Sequence, residues 1–287
     1  EIFKHYGLYA GSESKVTEAI FKKLDNRQCT SSIMGILNAT PDSFYSGSIV
    51  KENDSKILKM IEEKPDIIDI GGESTRPGSL PVEPEKEIER ILPIIKTVRD
   101  HTDIPVSIDT RHYQVINALL KYDINYINDI SGFKDEKMIQ IAQNTDLKCI
   151  VMHMRGDPQN MQKYTSYNDI IEEVAAFLQS RSMELTDRGI KEERIILDPG
   201  IGFSKDFSGN LEILRNLGSF YLGFPLLVGT SRKTFIGHIT GKNPENRLPG
   251  TIATSIYLAQ NKTDIIRVHD VSENRDAIMT YNALIGK

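Results

Sequence analysis

A (β/α)8 barrel of the TIM type, α/β in class and preceded by a short N-terminal extension, is the fold this sequence predicts. Three observations predict it. Short β-rich apolar segments recur about eight times from Ser32 onward, each closing on polar or glycine residues, and helical periods separate them. The polar residues at the segment ends form one coherent chemical set. A ring of strands gathers such a set round a single cavity, whereas an open sheet of about eight strands at ~4.8 Å spacing spreads it over more than ~30 Å. Finally, the fingerprint G-x-G-x-x-G that opens a doubly wound nucleotide fold is missing after the first segment, where the chain reads "ILNATPDSF".

The elements follow in order. Residues 1–31 carry mixed polar sequence with one amphipathic stretch, "KVTEAIFKKL", and are assigned to an extension or linker; the barrel domain takes residues 32–287. The strands are "IMGILN" (33–38), "DIIDIGG" (66–72), "IPVSIDT" (104–110), "INYINDI" (124–130), "KCIVMHM" (148–154), "RIILDPG" (194–200), "PLLVGTS" (225–231) and "DIIRVHD" (264–270). These runs are too short for helices and too unbroken for half-exposed strands, so they read as interior strands of a parallel sheet. Ile88, Ile91, Leu92, Ile95 and Val98 keep to one helical face, with Pro84 near the start and Pro93 inside, where a kink is expected. Ile170, Val174, Phe177 and Leu178 do the same. "SYND" from Ser166 reads as a capping box and "NPE" from Asn243 as a further helix start. "GHITGKN" from Gly237 is one spacer short of a P-loop and follows no strand, so it is set aside.

Composition narrows the function. In 287 residues, 35 lysines and arginines face 40 acids for a net charge of −5, so no basic surface points to nucleic acid or anionic membrane. The longest uncharged run, Asn216 to Ser231, is only half apolar and falls short of the ~18 apolar residues that a membrane span needs. No membrane insertion is expected. Two cysteines, Cys29 and Cys149, suit free thiols and an intracellular setting, cytoplasmic or mitochondrial. The chain opens at Glu1 without a methionine or a secretory signal, which suits a piece of a longer polypeptide or a processed product.

In a barrel, the carboxyl ends of the strands and the loops after them build the active site. Read in order, those ends supply Asn38, Glu73 to Arg76, Asp109, Asn128, Met152 with His153, Asp198, Ser231 to Lys233, and Arg267 with His269. Asp109, Asn128 and Asp198 offer acceptors and one amide, a set that suits a flat heterocycle displaying adjacent N–H donors. Taken singly, each reads equally well as a turn former; three strand ends together favour a ligand. The loops after strands seven and eight form the usual phosphate site of this architecture, and there "GTSRKTFIG" (229–237), Arg267 and His269 point to an anion. "NATPDSFYSGS" (38–48), with Asp42, and "GGESTRPGS" (71–79), with Arg76, have the composition of mobile covers. No zinc pattern is present.

These stretches, with "MGILNATPDSF", "DIIDIGGESTRPGS", "PVSIDT", "INDISGF", "VMHMRGDPQNM", "LDPGIGF", "VGTSRKTFIG" and "IIRVHDV" in one order from Ile33 to Val271, resemble the dihydropteroate synthases. The resemblance implies a transferase that joins para-aminobenzoate to (hydroxymethyl)dihydropterin diphosphate and releases diphosphate, with magnesium as cofactor. It implies pterin binding by Asp109, Asn128, Met152, Asp198 and Lys233, and diphosphate binding by Asn38, Arg267 and His269, Asn38 also holding the metal. Thr75, Arg76, Pro77 and Ser231 would line the aminobenzoate region. Asp42, Lys233, Arg267 and His269 would carry the chemistry. It also implies a homodimer and allows fusion to upstream folate-pathway domains. Ile201 departs from the phenylalanine common between the two glycines, and "LPVEPEKE" (80–87) is unlike common bacterial versions. The competing readings are a pterin-binding methyltransferase that uses a methylfolate, and a catalytically silent pterin-binding domain.

Overall fold

All eight apolar runs form strands, and every pairing between them is parallel. The structure, a computed structural model, describes residues 31–39 and 50–286. The strands are β1 (Ser32–Asn38), β2 (Ile67–Gly71), β3 (Val106–Asp109), β4 (Tyr126–Asp129), β5 (Lys148–Met152), β6 (Ile195–Asp198), β7 (Leu227–Val228) and β8 (Ile265–Val268). Their hydrogen-bonded order is β6-β5-β4-β3-β2-β1-β8-β7. The gap left between β6 and β7 is spanned by one bridge, Leu197 opposite Leu226, and by the Leu197 N–H donating to the Pro225 carbonyl at 2.9 Å. The ring therefore nearly closes, with a thin seam at β6/β7.

Helices follow the strands: α1 (Val50–Glu62), α2 (Pro84–His101), α3 (Tyr113–Leu119), α4 (Glu136–Gln143), α5 (Ile170–Asp187) and α6 (Phe207–Arg215) after β1 to β6 in turn. Strand β7 is followed by α7 (Thr234–Thr240) and α8 (Leu248–Gln260), and β8 by α9 (Val271–Leu284). The helical faces read from periodicity are the buried ones. Ile91, Ile95 and Val98 of α2 and Ile170, Val174 and Leu178 of α5 lie in the core, with Ile88, Leu92 and Phe177 packed against it.

Two start signals are displaced. Helix α5 begins at Ile170 and not at Ser166, because Asp169 takes the cap: its side chain accepts the Glu172 N–H at 2.9 Å. Glu173, one residue past the box position, accepts the N–H groups of Asn168 and Asp169, so the helix is capped three residues later than "SYND" suggests. "NPE" makes only the 3-10 turn Pro244–Asn246, ahead of α8. Helix α2 runs on from Pro84 to His101 across Pro93. Residues 1–30 of the 1–31 extension, with Cys29, and most of the first loop lie outside the described residues.

Alternation along the strands explains both cores. One parity, including Ile68, Ile70, Ile108, Ile127, Val151, Leu197 and Val268, joins the helices in the main apolar layer. The other parity points into the barrel, where Met34, Ile67, Tyr126, Ile150, Ile196, Leu227 and Ile265 fill its lower interior. Strands buried on both faces need apolar residues at consecutive positions, which is why the runs read as unbroken. Among the described residues, no helix is long and apolar enough to cross a membrane.

Candidate active site

Following the inward parity two residues further along each strand changes its chemistry. Ile67 leads to Asp69, Ser107 to Asp109, Tyr126 to Asn128, Ile196 to Asp198 and Ile265 to Arg267. The barrel interior is thus apolar at the amino ends of the strands and charged at their carboxyl ends. Asp69, Asp109, Asn128 and Asp198 are all buried.

Arg267 stands at the centre of this layer. Its Nε donates to Asp69 Oδ2 at 2.6 Å and its Nη2 to Asp109 Oδ2 at 2.7 Å. Asn128 Nδ2 lies 3.2 and 3.3 Å from the two oxygens of Asp69. Asp69 is thereby fully engaged, while Asp109 keeps Oδ1 buried and without a partner. Burial pushes the Asp109 carboxyl up to about 7, against the pull of the Arg267 guanidinium. Asp198 accepts the Gly200 N–H at 2.7 Å. Its carboxyl is also raised by burial, with that N–H, Lys233, Arg267 and Lys205 opposing the rise.

Lys233 enters from the loop after β7, its ammonium 4.3 Å from the centre of the Phe203 ring. A Cβ on Gly202 would come within 3.1 Å of the Lys233 chain, so that glycine makes room for the lysine to lie across the β6 loop. Burial, helped by Arg267, holds Lys233 down at about 8. Ser231 and His269 pair at the same rim: Ser231 Oγ accepts the His269 backbone N–H at 3.2 Å and lies 2.9 Å from Nδ1. With the serine proton on this bond, Nδ1 accepts and Nε2 is the imidazole's donor; with Nδ1 protonated, Nε2 is its acceptor. Burial and the Arg267 charge push His269 down to about 3, so it is a neutral imidazole and not the cation its place beside Arg267 suggests. Arg232, in the same "SRK" run, is tied to Asp270 by Nε at 3.1 Å.

The remaining expected residues sit on the same end of the barrel with looser ties. Asn38 closes β1 opposite Gly71 and is half-buried. Met152 closes β5 opposite Asp198 and packs with Ile130, Met154, Met161 and Phe203. Thr75 is half-buried, and Arg76 and Pro77 are exposed, on the loop after β2. Glu73 anchors that loop by accepting from Arg111 Nε and Nη2 at 3.0 and 2.9 Å and from the Val82 N–H at 3.1 Å. The Gly78 N–H reaches the Pro158 carbonyl at 2.8 Å. Asp42 lies outside the described residues.

Two members were missed by reading strand ends alone. Asp69 lies two residues before the end of β2, and the signal was present: an acid at inward parity inside an otherwise apolar strand. Lys205 is fully buried behind the Asp198 turn, yet in "GFSKD" it reads as an ordinary solvated loop lysine. Nothing local marks it.

Fold and site define the class: a (β/α)8 barrel enzyme whose chemistry sits at the carboxyl ends of its strands. The sequence matches the family described as pterin binding enzyme over residues 34–269. It is similar to dihydropteroate synthase of Clostridium beijerinckii, 44% identical over 255 residues, 86% of this chain and 92% of that protein. It is likewise similar to the Escherichia coli enzyme of that name, 37% identical with 88% and 91% covered. Among solved structures it resembles dihydropteroate synthase from Clostridium difficile in the presence of pteroic acid, with a TM-score of 0.83, 40% identity, and 90% and 97% of the two chains covered. The Xanthomonas albilineans enzyme with 4-aminobenzoic acid gives 0.84 at 35% identity, covering 90% and 94%. The chain belongs to the pterin-binding enzyme family and, within it, to the dihydropteroate synthases.

Proposed function

We propose that this chain joins para-aminobenzoate to (hydroxymethyl)dihydropterin diphosphate, releasing diphosphate, with the pterin held on the inward carboxylates and the diphosphate at the β8 rim. The observation that carries the reading is the buried, unpartnered Oδ1 of Asp109, in the same strand-end layer as the buried Asp198. A buried acceptor left open is costly, and a ring presenting adjacent N–H groups relieves that cost. In this reading Asp109, Asn128, Met152, Asp198 and Lys233 hold the pterin, and Thr75, Arg76, Pro77 and Ser231 line the aminobenzoate region.

The reaction breaks the bond between the pterin methylene carbon and the diphosphate oxygen, the electron pair leaving with the oxygen. The aromatic amine then attacks the methylene carbon and loses a proton. The enzyme has mainly to stabilise the departing anion, a role for Arg267 and His269 in a preorganised site. Asp42 is assigned to the developing cation or to the released proton.

Magnesium fits this arrangement only as an ion held chiefly by substrate. Among the described residues no group of three His, Cys, Asp or Glu side chains could hold a metal, and Asp69 and Asp109 are engaged by Arg267. Asn38, an oxygen donor at the end of β1, would supply the protein's share. Magnesium keeps waters and phosphate oxygens around one or two protein ligands, and when bound it would neutralise charge on the leaving group. The homodimer belongs to the same proposal, and light scattering tests it.

The deciding assay is diphosphate release. It should depend on para-aminobenzoate and yield a pterin–aminobenzoate adduct. Methyl transfer from a methylfolate in its place would favour the methyltransferase reading, and pterin binding without turnover the silent domain.

A further inference from the structure

Lys205 is a buried ammonium outside the set just described. It lies in the loop after β6 and is 2% exposed. Its Nζ donates to the Phe203 carbonyl at 2.8 Å, and lies 3.0 Å from His153 Nδ1 and 3.4 Å from the His153 carbonyl. While charged, the ammonium only donates, so Nδ1 then accepts and the His153 proton sits on Nε2. Burial, with the Lys205 charge, holds His153 neutral, down to about 2. All three partners are therefore neutral, and among the described residues no carboxylate is hydrogen-bonded to Lys205.

A buried charge needs a counter-charge. Burial pulls Lys205 down to about 7, so it carries its charge below neutrality; among the described residues Asp198 is the acid that holds it up, while Lys233 and Arg155 push it further down. The geometry is a sandwich through one glycine. Gly200 gives its N–H to Asp198, has φ +70°, and would place a Cβ 2.1 Å from the His153 carbonyl oxygen and 3.4 Å from Lys205 Nζ. The lysine thus stands directly behind the turn that presents Asp198 to the cavity, and it ties that turn to the end of β5. Asp198 also feels the charges of Lys233, from the loop after β7, and of Arg267, from β8.

We propose that Lys205 is a positioning residue for Asp198: it clamps the Asp198–Phe203 turn against His153 and supplies, from behind, the positive charge that keeps the carboxylate ionised for a ligand's N–H donors. The proposal rests on the assignment of the pterin to Asp198. Lys205 touches neither substrate, so its effect reaches the reaction only through that carboxylate.

The test compares wild type with Lys205→Met, Lys205→Gln and Lys205→Arg, titrating a hydroxymethyl-pterin by calorimetry from about pH 5 to pH 9. Lys205→Met should weaken pterin binding roughly tenfold or more at neutral pH and move the acid limb of binding upward by about half a unit or more, since losing a nearby cation raises a carboxyl. The KM for para-aminobenzoate should stay within about threefold of wild type, and Lys205→Arg should restore most of the loss. Lys205→Gln keeps a donor for Phe203 without the charge, so it reads the electrostatic part by itself and serves if the methionine variant does not fold. Binding by Lys205→Met or Lys205→Gln within twofold of wild type overturns the proposal. So does a loss with an unmoved acid limb that arginine does not rescue, which would make Lys205 a folding residue. If wild type binds no pterin, it is the functional assignment and not the lysine that fails.

Discussion

At the scale of single residues, the charges of the inner layer carry unequal risk. Asp198 ends its strand with one bond to backbone and with cations on several sides. Asp198→Asn keeps the shape, removes the charge and turns half of the acceptor into a donor. Pterin affinity should fall by about 2 to 5 kcal/mol, and calorimetry giving near-normal affinity would contradict the assignment. Arg267 differs because it is the hub. Truncating it leaves Asp69 and Asp109 buried and uncompensated, a loss of about 3 to 5 kcal/mol for a broken buried pair. Arg267→Ala should therefore lower unfolding stability in urea as well as turnover, and pterin affinity should drop with it. Adding Asp69→Asn should recover part of the stability, because the exposed cost is that of an unpaired charge. Unchanged stability in the single variant would mean that water reaches both acids.

At the scale of elements, the β6 loop turns on Gly200. Alanine there meets the His153 carbonyl at a distance no Cβ tolerates and keeps φ at +70°. Gly200→Ala should cost about 2 to 5 kcal/mol by urea unfolding, with pterin binding lost alongside because Asp198 loses the geometry of its backbone donor. Gly223→Ala is the control, with φ +94° but nothing within 4 Å. It isolates the backbone penalty of about 1 kcal/mol or a little more, and equal losses at the two sites would remove the clash from the account. This loop also marks what could be read from sequence. The eight strands were legible because burial on both faces forces apolar residues into consecutive positions, and the strand-end acids because they interrupt that pattern. Asp69 interrupts it too, at inward parity, and was legible in principle. Helix starts at Ile170 and Leu248 were not placed, since several Asx and Ser residues compete for each cap and only tertiary contacts choose among them. Lys205 was invisible, because its burial comes from the meeting of two loops, after β5 and β6, that no local pattern couples.

At the scale of the whole molecule, the barrel concentrates ionisable groups from β2, β3, β6, β8 and the loop after β7 in one largely buried layer, and their protonation states set a pH window for binding. Burial pushes Asp109 up to about 7, so it is ionised above that pH. Lys233 is held down at about 8 and is protonated below it. A ligand that donates to Asp109 and accepts from Lys233 meets both charged forms together only near neutrality, so pterin affinity should follow a bell with its top between about 7 and 8. Stability without ligand has its own sign. For Asp109 the raised folded value means the folded chain holds a proton that the unfolded chain, with its ordinary value of 3.8, has already released. That contribution is complete below the unfolded value and is lost as pH rises through about 7. Pterin should restore it by bonding to the carboxylate. The rise in melting temperature on adding pterin should consequently be larger at about pH 7 than at about pH 5, and Asp109→Asn should shrink the difference. A ligand-induced shift that is the same at both pH values would show that Asp109 is ionised throughout, and that Arg267 outweighs the burial of the layer.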